Sequence, residues 1–360
     1  YVGSQNVPLL EEHGQFGSLL MNGKDHASAR YIRTKCAPYT KWIVQKHDQP
    51  LLRHQMNEGS SIEPEWYAPI VPLLLINGSN GIGTGWSCTI PPFAPRSCVE
   101  WIRAWLRGQP TPLLQPYVHG FTGSLRREEG QVVIEGCFAS TPSRKKGMCT
   151  IEVTEIPYTR SIDSYRQMLE GWVEEKRIAH LRNYSSECAP HFKFDVPEET
   201  ASSWTYKTLG LVATISLRNL VCFDAEQTIQ KYASVEEMME AYCRVRLELY
   251  RQRKAYQCRQ YEEDIQSCQL MLRYCYDVMQ GRLQVFKHTE DSIRHQMQRL
   301  GGYEWTPSCT FETLLNSSTR SFTVEALEQQ TKKCKRLQDA YEQCKALSPE
   351  QMWLRDLDTL

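Results

Sequence analysis

From Ser234 to Gln280 the chain holds neither proline nor glycine, and the run ends only at Gly281 and Arg282. It is rich in Glu, Gln, Arg and Met, side chains that lose little rotamer freedom in a helix. Val235, Met238, Tyr242, Val245, Leu249 and Tyr256 recur mostly at three- and four-residue steps. One helix of this length spans roughly 70 Å at about 1.5 Å per residue, more than an ordinary core helix. Such a helix needs a partner. Val324, Leu327, Thr331, Cys334, Leu337, Tyr341 and Cys344 supply a heptad-like stripe that starts near Thr323. The spacing predicts an antiparallel pair within one chain, 234–282 against 323–347. The ~40 residues between them are too many for a bare loop and predict a small cap. Leu314, Leu315 and Phe322 are candidates for the apolar tip of that cap, or else fill its own core. Ser348 and Pro349 stand as N-cap and first residue of a closing helix.

The chain has 360 residues, which suggests more than one domain. Lys plus Arg equals Asp plus Glu at 42 each, so whole-chain charge gives no nucleic-acid footprint, and any such site is a local patch. None of the fourteen cysteines forms a C-x-x-C pair and no H-E-x-x-H occurs, so the spacings offer no zinc site. A reduced intracellular protein is expected rather than a disulfide framework. No apolar run reaches the ~18–20 residues of a membrane span, and no signal peptide is visible. Leu73 to Ile76 reads as a strand. The chain begins at Tyr1, in mid-pattern, and reads as a segment of something longer.

Two N-terminal stretches carry chemistry. The first is Gly14-Gln15-Phe16-Gly17 followed by Asn22-Gly23-Lys24-Asp25-His26-Ala27-Ser28-Ala29-Arg30-Tyr31-Ile32. A tyrosine hydroxyl has an ordinary pKa of ~10 and is a poor nucleophile at neutral pH. It needs a base, a metal or cations that stabilise developing charge. Arg30 can bind phosphate oxygens as a fork and Lys24 as a point charge. Across residues 22–55 seven Lys and Arg stand against two Asp, a local basic excess. Ala27 to Ala37 is predicted helical, ending before Pro38. The second stretch is Asn77-Gly78-Ser79-Asn80-Gly81-Ile82-Gly83-Thr84-Gly85-Trp86-Ser87. It is not a phosphate loop. Pro91 and Pro92 block the helix that a dinucleotide fingerprint needs, and the Gly-Lys-Ser/Thr of a Walker loop is absent. It reads as a tight turn whose glycines supply positive φ. Further along, 95–108 and 162–182 are predicted helices. Strands are predicted at 131–136, 149–157, 191–196 and 209–217. Ser143-Arg144-Lys145-Lys146-Gly147 is a basic turn, either a solvated hairpin tip or a DNA contact.

The first stretch resembles the active-site segment of type IIA DNA topoisomerases, which reads glutamine-phenylalanine-glycine, then glycine-lysine-aspartate, then arginine-tyrosine. The second resembles that family's glycine-isoleucine-glycine-threonine-glycine-tryptophan segment. Ser348-Pro349 with Trp353 resembles its serine-proline-x-x-x-tryptophan ending. A further family pattern, proline followed by arginine, threonine, tryptophan and later tyrosine, is met in part by Pro157, Arg160 and Tyr165, with no tryptophan between them. The resemblance is to the eukaryotic and large-DNA-virus enzyme rather than to bacterial gyrase. It implies a multidomain α+β fold: a partial winged helix with the tyrosine (1–58), an α+β tower (59–225), a long antiparallel coiled coil with a small helical dimer gate (226–348) and a C-terminal helix (349–360).

The resemblance also implies the chemistry. Tyr31 is the nucleophile that forms a 5′-phosphotyrosine, and Arg30 stabilises phosphate charge. Lys24, Gln15 and Ser28 bind DNA, and Ile82 wedges between base pairs and bends the duplex. Mg2+ and ATP are held by upstream domains, with no metal- or cofactor-binding residue in this segment. The implied partners are two DNA duplexes and a second copy of the chain, with no membrane. The implied location is intracellular: the nucleus if cellular, the host cytoplasm or nucleus if viral. The alternative is a non-catalytic DNA-binding and dimerisation scaffold in which Tyr31 is an ordinary DNA contact.

Overall fold

Short helical turns and a two-stranded hairpin open the chain. In a computed structural model, residues 2–3, 5–143 and 145–360 are described, so Arg144 of the basic turn lies outside them. The chain divides into two units. One runs to Arg246 and includes Asp356–Leu360; the other is Leu247–Arg355.

In the first unit, a 3-10 turn at Ala29–Tyr31 precedes α1 (Thr40–Ile43) and the hairpin β1 (His54–Asn57) with β2 (Ser60–Pro64). The helix expected at 27–37 does not form beyond that turn. Residues 33–37 are extended instead, because their backbone pairs with 9–13: Leu10 bridges Cys36, His13 bridges Arg33, and the Glu11 amide donates to the Lys35 carbonyl at 2.9 Å.

The expected strand at 72–76 is also a correction: Leu73–Asn77 is a short helix, α2. Pro72 sits before its first turn, where a missing amide costs nothing, and its carbonyl accepts from Leu75 and Ile76 at 3.0 Å. A short apolar run cannot reveal its period, so strand and buried helix look alike in sequence. Then come β3 (Ser79–Gly83) and β4 (Trp86–Ile90), which pair with Ile82 opposite Ser87 and Gly83 opposite Trp86. Thr84 and Gly85 make the turn. Positive φ occurs at Gly78 and Gly85, whereas Gly81 and Gly83 lie in the ladder without it.

Helix α3 (Pro95–Leu106) follows the amphipathic spacing predicted for it and buries Cys98, Trp101 and Ile102. Strands β5 (Ser124–Glu128) and β6 (Gln131–Glu135) come next, followed by β7 (Cys137–Pro142) and β8 (Met148–Glu155). Helix α4 (Ile162–Glu174) is capped by Ser161, whose hydroxyl accepts from the Ser164 amide at 3.2 Å. It stops eight residues short of the expected Arg182. Lys176 turns left-handed with φ 58°, and the chain returns as β9 (Ala179–Asn183) to pair with β10 (Phe192–Pro197). The resulting sheet, in the order β7-β8-β10-β9, packs Ile151, Val153, Phe192 and Phe194 against Ile162, Tyr165 and Leu169 of α4. Full burial of a side chain of this size contributes about 1.5–3 kcal/mol, so this is the body on which the N-terminal loop rests. The strands β11 (Val212–Ser216), β12 (Leu220–Phe223) and β13 (Ile229–Tyr232) complete the unit, with β11 joining β6 and β5.

Helix α5 (Val235–Met279) has 45 residues and carries residues of both units. It is followed by α6 (Glu290–Leu300), α7 (Phe311–Leu315) and α8 (Val324–Ala346) in the second unit, and by α9 (Pro349–Asp358), whose last residues belong to the first. The pairing of α5 with α8 is antiparallel, as expected. Lys254 Nζ donates to the Lys345 carbonyl at 3.0 Å, the Tyr341 hydroxyl to Glu262 at 2.6 Å, and Cys268 faces Gln330. Ser348 and Gln351 cap α9 reciprocally, at 2.9 and 3.2 Å. Leu314 is fully buried in the cap, and Leu315 and Phe322 pack against the same core. Leu314 is therefore no part of an outward tip, while Leu315 and Phe322 are half-buried. Among the described residues, Phe286, Leu300 and Trp305 of the cap are exposed, as is Val324 at the start of α8.

Candidate active site

The 14–32 loop is built by backbone, not by core. The antiparallel bridge between His13 and Arg33 closes its base, with Gly14 just inside one end and Tyr31 two residues before the other. Within it the two motifs clasp each other. The Gly23 amide donates to the Ser18 carbonyl at 2.8 Å and the Ala27 amide to the Gln15 carbonyl at 3.0 Å. Gly17 has φ +95°, and a Cβ there would meet Gly23 backbone atoms at 2.7 Å. The glycine of the first motif is thus required by the glycine of the second. Asp25 completes the clasp, accepting from the Ser18 amide at 2.9 Å and the Ser18 hydroxyl at 2.6 Å. Those two donors, the hydroxyl first, hold its carboxyl below the usual range. The loop is tied to the α4 body by the Ile162 and Asp163 amides, which donate to the Leu19 and Leu20 carbonyls, and by Asn22, which donates to the Tyr158 carbonyl at 3.1 Å.

Tyr31 ends the short Ala29–Tyr31 turn, its amide donating to the Ser28 carbonyl at 2.9 Å. Its ring is 71% exposed, and the Arg30 guanidinium lies 5.0 Å from the ring centroid. At that distance the guanidinium makes a cation–π contact with the ring. Lys35 and His13 both engage Glu11, at 3.2 and 2.8 Å, and His13 followed by Lys35 holds its carboxyl below the usual range. Glu11 and Asp25 are therefore committed to local partners, and Lys24, Arg30 and Arg33 are exposed.

The structure brings Gln15, Ser28, Arg30 and Tyr31 into this one loop. Lys24 sits at the other side of the clasp, lining a cavity of about 560 Å³ with Asn22, Asn80, Arg160 and Ser164. Arg160 and Asn80 were not singled out from the sequence as site residues. The only available signal for Arg160 was its place between Pro157 and Tyr165. Ile82 belongs to a different element, the β3–β4 hairpin, where it is 91% exposed. A Cβ on Gly81 would touch nothing, so the backbone around Ile82 is bare on that side. Among the described residues no three His, Cys, Asp or Glu side chains gather as a metal ligand set, and no helix is long and apolar enough to cross a membrane.

An exposed tyrosine with an arginine over its ring thus stands on a glycine-clasped loop carried by an α+β body. The chain belongs to the DNA gyrase/topoisomerase IV A-subunit family, whose model matches residues 1–358. Its relatives include the DNA topoisomerase 2 of Penicillium chrysogenum, 30% identical over 99% of this chain and 24% of that protein. The DNA topoisomerase 2 of Invertebrate iridescent virus 6 is 31% identical over 99% of this chain and 31% of its own length. The chain thus spans about a quarter to a third of these relatives. Its structure is similar to the DNA-binding, cleavage and re-ligation domain of Plasmodium falciparum topoisomerase II, with a TM-score of 0.85 and 26% identity over 99% of this chain and 52% of that one. The mixed helix-and-sheet fold agrees with that match.

Proposed function

We propose that these residues are the DNA-cleavage and religation core of an ATP-dependent type II DNA topoisomerase. The observation that carries the reading is Tyr31, exposed at a fixed turn with the Arg30 guanidinium over its ring. The Tyr31 oxygen attacks a backbone phosphorus and the bond from phosphorus to O3′ breaks. The phenol loses its proton and O3′ gains one, leaving a 5′-phosphotyrosine and a free 3′-hydroxyl. One phosphodiester is exchanged for another, so the reverse attack reseals the strand without a further energy source. Arg30 stabilises the charge that builds on the phosphate oxygens. Lys24, Gln15 and Ser28 hold the duplex along the loop, and Ile82 wedges between base pairs and bends it.

Two copies of the chain, one tyrosine each, cut both strands of one duplex, and a second duplex passes through. The exposed Phe286 and Trp305 of the cap support a distal contact between the copies. The division into 1–58, 59–225, 226–348 and 349–360 belongs to the same reading. So does a site of action inside the cell: the nucleus for a cellular protein, the host cytoplasm or nucleus for a viral one. Mg2+ and ATP are handled by parts of the longer protein outside these 360 residues. In support, these 360 residues match only 24% and 31% of the length of two curated relatives.

The test is Tyr31→Phe in the full-length protein. The expected result is complete loss of the covalent DNA–protein adduct trapped by detergent, with DNA binding nearly unchanged. A residual adduct would remove Tyr31 from the reaction.

A further inference from the structure

The seam between α5 and α8 carries four cysteines. Cys258 Sγ lies 3.8 Å from Cys344 Sγ, and Cys268 Sγ lies 3.7 Å from the Gln330 carbonyl, four residues before Cys334 on α8. The two pairs share one register. Ten residues onward along α5, from Cys258 to Cys268, match ten residues back along α8, from Cys344 to Cys334. At 1.5 Å per residue the layers are about 15 Å apart. Independent contacts fix that register, among them the Tyr341 hydroxyl on Glu262. A single seam cysteine behaves as a small apolar side chain. Two facing pairs in successive layers hold thiols side by side.

We infer that Cys258–Cys344 and Cys268–Cys334 are paired oxidation sites at which a peroxide staples the helical hairpin with two interhelical disulfides. In each pair the peroxide O–O bond breaks as one sulfur is oxidised to the sulfenic acid, and one water leaves. The facing sulfur then attacks the sulfenic sulfur. The S–O bond breaks, the S–S bond forms, and the hydroxyl leaves as a second water with the attacking thiol's proton. The net change is two thiols and one peroxide to one disulfide and two waters. Cys258 is half-buried and meets the oxidant first, and buried Cys344 resolves it. Cys268 and Cys334 are both buried, so the second staple forms more slowly. Burial pushes the Cys268 and Cys344 thiols up, so they stay protonated and react slowly. The 3.8 Å between the Cys258 and Cys344 sulfurs must close to a bond of about 2 Å. The staple does not depend on the chemistry of Tyr31.

The experiment treats the reduced full-length protein with hydrogen peroxide, blocks remaining thiols, and maps cross-linked peptides without reduction. The Cys258–Cys344 link is expected first and the Cys268–Cys334 link second. Both should form at rates independent of protein concentration, and both should be reversed by dithiothreitol. The melting midpoint of the helical signal should rise with them. Cys275, packed in the cap core with Leu270 and Leu327, should stay a thiol. Exposed Cys36 and Cys188 report that the oxidant has acted. Cys344→Ser should abolish the first link and leave the second. Either of two results overturns the inference: Cys258 linked between molecules, or Cys36 and Cys188 fully oxidised while both seam pairs remain thiols. The wild-type map decides the matter even if the serine variant fails to fold.

Discussion

The Tyr31 loop and the β3–β4 hairpin both present an exposed side chain, and they hold it in opposite ways. The loop is over-determined. A bridge closes its base, Gly17 packs backbone on backbone against Gly23, and Asp25 ties the turn to Ser18. The hairpin is a bare two-stranded ladder whose tip carries Ile82 at 91% exposure, with nothing near a Cβ on Gly81. The difference suits the roles proposed for the two side chains. A nucleophilic oxygen must be placed in line with a phosphorus, where an error of about 1 Å costs about a hundredfold in rate. An apolar wedge needs reach and clearance, and the DNA itself fixes its final position.

The largest break in that comparison should come from Gly17→Ala. Its Cβ would overlap Gly23 backbone atoms at 2.7 Å, at a φ of +95° that alanine disfavours. The expected outcome is a drop of roughly a hundredfold in covalent adduct with the duplex still bound. Adduct at the wild-type level in a detergent-trapping assay would show that the clasp does not position Tyr31.

Ile82→Ala should act less severely and through the DNA. Without the wedge the unstacking of about a few kcal/mol is no longer offset, so bound DNA bends less and cleavage falls with bending. Fluorescence transfer between the ends of a bound duplex measures this. An unchanged end-to-end distance would make the hairpin a plain turn.

Asp25 gives a smaller, pH-dependent effect. Its folded-state value lies below the ordinary 3.8 because Ser18 donates to it. Its contribution is therefore present above 3.8 and is lost as pH falls through the folded value. Melting curves of the wild type and Asp25→Asn should differ at neutral pH and converge in acid. A gap that persists below the carboxyl's own NMR titration midpoint would contradict the clasp.

The smallest change is expected from Gly81→Ala. No positive φ and no neighbour within 4 Å oppose it, so the melting midpoint should hold within error while DNA bending weakens slightly. A clear loss of stability would mean that the hairpin is as tightly built as the loop.

Elements that rest on local periodicity were legible in the sequence. The 45 residues of α5, the whole of α8 and the apolar face of α3 follow from spacing and from the absence of breakers. Elements decided by pairing at a distance were not. Residues 33–37 look helical until 9–13 lies beside them, and α4 looks longer until β10 draws 179–183 into its sheet. The site divides the same way. Motif resemblance picked out Tyr31, Arg30, Lys24, Gln15, Ser28 and Ile82, but not Arg160, which reaches the Lys24 cavity from a segment 136 positions further on.

The sequence by itself determined the family, the long helices, their antiparallel pairing and the residues of the two motifs, because each is a local pattern of residue types. Only the tertiary structure decided that Gly17 exists for Gly23, that Asp25 serves Ser18, that Leu314 fills the cap while Phe286 faces outward, and that four cysteines meet in pairs. Each of these is a contact between residues that share no local period, and contacts of that kind come into being only when the chain has closed on itself.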